Sequence, residues 1–214
     1  MITSYPCRMK TNLLAFLFSL VFLFCDFSIV FGEEPEIKKE FWKNGKKRLE
    51  EHYKNGELDG LSSYFYESGV KMLEVYYKQG KKNGLKIHWY PSGKIWYERS
   101  YKFGQKDGSW TEWYFNEKVK FKGYFKNGNK DGLYSSWYKN GKQKLEEHYT
   151  EGKKDGLSTA WYTNGKKWYL RRYKDGKKNG LDTEWYENGK KWYELIYKDG
   201  KKDGLDTEWY ENGV

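Results

Sequence analysis

Two hydrophobic patterns run along this chain. From Leu13 to Phe24 the apolar run is almost unbroken, whereas from residue 36 onward no window shows helical spacing. There, short runs of aromatic and β-branched residues alternate with charged positions and close on Asp-Gly or Asn-Gly, which predicts strands joined by tight turns. Trp192 to Lys198 and Gly204 to Tyr210 are two such strands, with Asp199 to Asp203 and Glu211 to Gly213 as the connections. The pattern then recurs: Lys174 to Gly189 repeats Lys198 to Gly213 with one change, Asn179 for Asp203. The pairs Phe65-Tyr66, Trp89-Tyr90, Trp113-Tyr114, Trp137-Tyr138, Trp161-Tyr162, Trp185-Tyr186 and Trp209-Tyr210 hold a spacing of 24 residues without a slip. The expected fold is all-β, an elongated single antiparallel β-meander of 24-residue hairpin repeats with about 15 strands.

Five residues in each connection would set the register. Trp209 then lies opposite Tyr193, Trp185 between Tyr169 and Tyr193, and Leu181 between Tyr173 and Tyr197. One face of Trp, Leu and Tyr ladders is the expected core, with equivalent residues two strands, roughly 9.5 Å, apart. The other face is expected to present Tyr66, Tyr90, Tyr114, Tyr138, Tyr162, Tyr186 and Tyr210. Beside them stand positions that change from copy to copy: Arg48, Met72, Trp96, Lys120, Lys144, Trp168 and Trp192. The tyrosines with Trp96, Trp168 and Trp192 make up the candidate binding row. An acidic row is expected next to it, with Glu184, Glu194 and Glu208 as neighbours and Glu98 near Glu112; lysines such as Lys174 and Lys198 would offset the repulsion. At the fourth junction Glu117 replaces the turn glycine, Ser109 the leucine, and Gly123 enters a strand, which predicts a bulge or bend within residues 115 to 123. Glu36 to Trp42 matches half a copy, and the final strand is expected to present an edge open to self-association.

Residues 1–32 form a leader. Arg8 and Lys10 precede the apolar run and Val30-Phe31-Gly32 precedes Glu33, the arrangement of a signal peptide. A retained anchor is the alternative, since the stretch approaches the ~18 to 20 residues that span a bilayer. A lipid anchor at Cys25 is a third. Cleavage would leave residues 33–214 as an exported array in the periplasm, at the envelope surface or secreted. Both cysteines, Cys7 and Cys25, fall in the leader, so the array offers neither disulfides nor thiolate metal ligands. With 40 Lys+Arg against 30 Asp+Glu the net charge is +10, which suits an anionic polymer or membrane surface. The lysines recur in turns instead of forming one stripe, so no nucleic acid partner is expected.

Nothing in the pattern assembles an active site. His52 and His148 share one repeat position and His88 holds another, so no metal site is predicted. Phosphate-loop and kinase signatures are absent, and the Asp-Gly-Lys-Lys-Asp-Gly turn has too few carboxylates for calcium. No cofactor and no enzymatic activity are expected. The series Trp-Tyr-x-Asn-Gly-Lys, Glu, Tyr-Lys-x-Gly and Asp-Gly-Leu, whole at Trp185 to Leu205, resembles the variant MORN repeat, the short β-hairpin repeat of bacterial proteins, over residues 36–213. The resemblance extends to YwqK-type antitoxins and, more distantly, to repeats beside phosphoinositide kinase domains and in membrane-junction scaffolds. It implies a binding or scaffold array without catalytic residues. Three functions fit: an exported protein-interaction scaffold at the cell envelope, an antitoxin- or immunity-like neutraliser, or binding of envelope glycan, anionic polymer or lipid.

Overall fold

The computed structural model describes residues 35–213; the leader, with its signal-peptide, anchor and Cys25 alternatives, lies outside the described residues. The array consists of β1 (Glu36–Phe41), β2 (Lys47–Lys54), β3 (Glu57–Leu58), β4 (Gly60–Phe65), β5 (Lys71–Lys78), β6 (Lys81–Trp89), β7 (Ile95–Lys102), β8 (Gln105–Trp113) and β9 (Val119–Lys126). It continues through β10 (Asn129–Lys130), β11 (Gly132–Trp137), β12 (Gln143–Thr150), β13 (Lys153–Trp161), β14 (Lys167–Lys174), β15 (Lys177–Trp185), β16 (Lys191–Lys198) and β17 (Lys201–Glu208). All 17 lie in one open sheet, and the described residues contain no helix. Pairing is antiparallel between sequence neighbours throughout. β3 and β4 both pair with β2, and β10 and β11 both pair with β9, so each couple is one strand interrupted at Asp59 or Asp131. Counted that way, the meander has the expected length.

Two turn chemistries alternate. Asp199-Gly200 takes φ of 50° and 86°, and Asn55-Gly56, Gln79-Gly80 and Phe103-Gly104 do likewise; these are two-residue type I′ loops, whose twist suits a hairpin. The other turn is built on Asn-Gly. In the last full copy Gly189 N donates to Tyr186 O (2.8 Å), Tyr186 N to Lys190 O (2.9 Å), and Lys190 N to Asn188 Oδ1 (2.8 Å).

The short loop changes the faces. Lys201 and Lys202 belong to β17, opposite Lys198 and Tyr197, and a bulge at Asp203-Gly204 then restores pairing at Leu195↔Asp206 and Tyr193↔Glu208. The expected five-residue connection is therefore wrong: charged Lys-Lys-Asp was counted as turn, whereas the type I′ loop needs only Asp-Gly. The register moves by one residue, which exchanges every side chain between faces. Tyr193 meets Glu184, Leu195 meets Asp182, and Tyr197 meets Gly180, while Thr183 pairs with Glu194 on the other side. The Trp and Leu columns thus leave the tyrosines' face. Leu205 is 86% exposed, and Leu181, Leu157 and Leu133 are exposed as well. The expected acidic row does not form either, because Glu194 and Glu98 lie on the tryptophan face while Glu184, Glu208 and Glu112 lie on the tyrosine face.

The tyrosine face carries the more continuous core: Leu49, Val75, Tyr97, Phe125, Tyr169 and Leu195 are buried, along with Glu51, Glu147, Asp182 and Glu184. A bulge does fall within residues 115 to 123, where Lys120 is the extra residue between Val119↔Trp113 and Phe121↔Glu112, but it is not specific to this junction. β8 and β9 pair regularly from Gly108↔Phe125 to Glu112↔Phe121, with the same shift at Glu112/Trp113 that other copies show at that place. Glu117 adopts the turn glycine's conformation at φ 63°. Gly123 provides room: a Cβ there would lie 2.9 Å from the Phe121 ring and 3.1 Å from Tyr134.

Candidate binding surface

The tyrosine of each aromatic pair reaches across to the next copy. Tyr66 Oη donates to Trp89 O (2.8 Å), Tyr90 to Trp113 O (3.2 Å), Tyr114 to Trp137 O (2.8 Å), Tyr138 to Trp161 O (2.7 Å), Tyr162 to Trp185 O (2.8 Å) and Tyr186 to Trp209 O (3.0 Å). Burial raises the hydroxyl pKa of Tyr66, Tyr90, Tyr138 and Tyr162. The Asn-Gly-Lys turn adds two more ties: Asn140 Nδ2 donates to Thr163 O (3.1 Å), and Lys142 Nζ to Asn164 O. Equivalent bonds run from Asn164 and Lys166 to Glu187 O and Asn188 O. These side chains therefore hold copy to copy. Tyr210 is 77% exposed.

The variable positions rest on that row. Trp96 stacks on Tyr90 at 5.6 Å and stands against His88 and Tyr97. Trp168 meets Tyr162 at 5.9 Å and Tyr169 at 5.5 Å; Trp192 meets Tyr186 at 6.0 Å and Tyr193 at 5.5 Å. Lys120 and Lys144 stand over Tyr114 and Tyr138. Trp96, Trp168 and Trp192 are exposed, so each tryptophan offers a ring to solvent from a rigid seat. His88 is held neutral more strongly than usual, by burial and then by Lys86 and Arg99.

A second row went unseen in the sequence. Along the centre of the tyrosine face Ser62, Val75, Lys86, Arg99, Trp110 and Gly123 are paired in succession, followed by Tyr134, Glu147, Ser158, Arg171, Asp182, Leu195 and Asp206. Its members differ in size and charge from copy to copy. The clue was available as variation at a fixed place in the 24-residue repeat, but only the correct register aligns the two strands that supply it. In the later copies the row is self-neutralising. Glu147 accepts from Lys154, Tyr149 (2.7 Å) and Ser158 (3.2 Å); burial works against its charge, but these bonds outweigh it and hold its pKa below the ordinary value. Arg171 bridges Asp182 (3.2 Å) and Glu184, and Lys178 also binds Asp182, which is 1% exposed.

One lysine column runs beside this row, and its halves differ. Lys154, Lys178 and Lys202 pair with Glu147, Asp182 and Asp206. Among the described residues Lys82, Lys106 and Lys130 have no carboxylate within ion-pair distance; each instead covers aromatic rings, Lys106 over Trp110 (4.6 Å) and Phe125 (5.1 Å), Lys130 over Tyr134 (3.5 Å) and Tyr149 (4.6 Å). Burial lowers the pKa of Lys82, Lys86 and Lys130. Around Phe121, Phe125 and Tyr134 a cleft of ≈ 400 Å³ opens, lined among others by Arg99, Trp110, Glu112, Lys120, Lys130 and Lys144. Among the described residues no three His, Cys, Asp or Glu side chains converge to hold a metal ion.

The hairpin around each Asn-Gly turn is the repeating unit, and the family model for the MORN repeat variant matches it at residues 37–55, 58–79, 82–103, 106–127, 130–151, 154–175 and 178–199. The chain belongs to the MORN repeat variant family. A comparison with curated proteins finds no match. The matched MORN segments run from just after one type I′ loop to the next, so the seams between units coincide with those loops. MORN repeats are in general interaction modules that engage proteins or membrane lipids, and are in general not enzymes.

Proposed function

We propose that this MORN array is a non-enzymatic interaction scaffold, exported and working at the cell envelope, whose tyrosine face binds a protein partner. The observation that carries this is the contrast between a scaffold repeated bond for bond and the exposed side chains it seats, Trp96, Lys120, Lys144, Trp168 and Trp192, which differ from copy to copy. Rigid aromatic rings on an ordered support lose little freedom on binding, and arrays of this kind extend such a surface over many units. The leader pattern of residues 1–32 supports export.

The test is a cross-linked pull-down of the tagged full chain from envelope extract of the native cell, with a glycan-digested control. One protein at near equal stoichiometry, lost when Trp168 and Trp192 are both changed to Ala in a chain that still melts cooperatively, is the expected result. A one-to-one complex with a toxin would favour the neutraliser. Retention abolished by glycan digestion would instead favour envelope polymer, a second reading that the unpaired Lys82, Lys106 and Lys130 support.

A further inference from the structure

We propose that the cleft around Phe121 and Tyr134 is an anion-recognition site for an acidic, extended peptide segment of the partner, with carboxylates about three residues apart. The proposal rests on the interaction-scaffold reading and adds to it a location and a chemistry.

The charge balance is local. Arg99, Lys120, Lys130 and Lys144 line the cleft against a single described carboxylate, Glu112, which Lys120 (2.7 Å) and Arg99 (3.7 Å) already engage. Lys106 extends the same basic surface from its place over Trp110 and Phe125. In the later copies the equivalent lysines carry their own acids, so within this column the lysines without a carboxylate partner are Lys82, Lys106 and Lys130. A desolvated cation without a counter-ion is an unfavourable arrangement that an incoming anion relieves.

The geometry narrows the class of anion. Four of the six rings that line the cleft are already covered by cations: Trp110 by Arg99 and Lys106, Tyr114 by Lys120, Phe125 by Lys106 and Tyr134 by Lys130, which leaves Phe121 and Trp137. Sugar rings and nucleobases stack on bare aromatic faces, which are the minority here, whereas N–H donors line the cleft on several sides. Lys130 is half-buried in the concavity and Lys106 is half-buried over Trp110 and Phe125, two rings of its lining, out of reach of a flat bilayer but within reach of side chains on a narrow strand of peptide. Equivalent positions in successive copies recur about every 9.5 Å, and a polyproline II chain advances about 3.1 Å per residue with three residues per turn, so carboxylates three residues apart share a face and match the spacing.

A fluorescein-labelled peptide of the form Glu-Gly-Tyr-Glu-Gly-Tyr-Glu, with a Gln-for-Glu control, tests this by anisotropy on the full chain. The Lys106→Gln, Lys130→Gln, Lys144→Gln triple variant is expected to bind roughly tenfold or more weakly. The matching Lys→Arg triple should retain binding, and the control triple Lys78→Gln, Lys102→Gln, Lys126→Gln, which removes exposed charges from the copy of Lys106 and from the two copies before it, should stay within about twofold of wild type. Lys144→Gln alone, at an exposed position, should still weaken binding and provides a test if the triple variant fails to fold. Equal losses in both triples would overturn the proposal, as would equal binding of the Gln peptide. So would tighter, cleft-dependent binding of phosphatidylserine vesicles or oligouridylate. A protein recovered by pull-down whose capture ignores these lysines would sink the cleft and leave the scaffold standing.

Discussion

At the scale of single residues, the tyrosine row shows how one side chain serves two ends. The ring supports a variable neighbour while the hydroxyl satisfies a main-chain carbonyl of the following copy. Tyr138→Phe, which loses the 2.7 Å bond to Trp161 O, should cost about 1 kcal/mol in urea unfolding, whereas Tyr210→Phe, at a mostly exposed position, should stay within about 0.5 kcal/mol of wild type. The sequence displayed these tyrosines and the changing residues next to them, and the structure places the two side by side. It could not display the bond, because the acceptor is backbone and belongs to another copy. Glu147 was hidden for a related reason: a lone glutamate in a strand looks solvated until Lys154, Tyr149 and Ser158 are known to surround it. Its pKa is held below the ordinary 4.5, so its contribution is complete above that value and disappears as pH falls through the folded one. Melting temperatures of wild type and Glu147→Gln should therefore differ at pH 7, and the difference should shrink as pH falls below 4.5 and through the lowered folded-state pKa.

Strands and turns were the most legible level. Aromatic runs closed by Asp-Gly and Asn-Gly gave the meander, its strand number and its repeat length, since each signal is local. Register was lost because it depends on how many residues a loop consumes, and charged Lys201 and Lys202 resemble loop while forming strand. Every copy pays for its type I′ loop with a left-handed residue, and Phe103 is the poorest fit, at φ 47° with its ring exposed. Phe103→Asn should stabilise the chain by about 0.5–1 kcal/mol in thermal or urea unfolding. The bulge glycine after each type I′ loop answers in several copies, at Gly60, Gly84, Gly108 and Gly156 but not at Gly132, to a second demand beyond positive φ. A Cβ on Gly108 would come within 2.8 Å of Ser100 Cβ, whereas one on Gly128 would meet nothing within 4 Å. Gly108→Ala should accordingly be the more damaging, by about 1–2 kcal/mol in the same assay.

Across the whole array, each strand touches only its sequence neighbours, so stability is a sum of unit and seam terms without a shared core. Val75→Ala, at 2% exposure, should cost about 2 kcal/mol and should show that cost unevenly. Amide exchange in β4 to β6 is expected to accelerate, while β14 to β16 keep their protection. Uniform acceleration along the array would show that the units unfold together. The separation of charge belongs to this scale as well: acids and bases cancel within the later copies, whereas the earlier ones leave Lys82, Lys106 and Lys130 without carboxylate partners. Net charge alone, +10 for the chain, could not have revealed that gradient.

At the Asn-Gly turns the side-chain ties between copies all point one way. Tyr138, Asn140 and Lys142 donate forward, to carbonyls 22 or 23 residues later, and their counterparts in other copies do the same. Along this edge of the sheet a copy thus has a donating side and an accepting side, like a link with a hook and an eye, while at the type I′ loops the sense is reversed, with Gly176 N donating back to Lys154 O and Gly200 N to Lys178 O (2.8 Å each). Duplicating or excising one whole link leaves every hook facing an eye, whereas removing 23 residues or 25 would break the series at the cut. Reach is then a quantity that can be set by counting: each added unit moves whatever is held on the tyrosine face two strands, roughly 9.5 Å, further along. A ruler made this way can be recalibrated by recombination between its own repeats, without redesign of any contact.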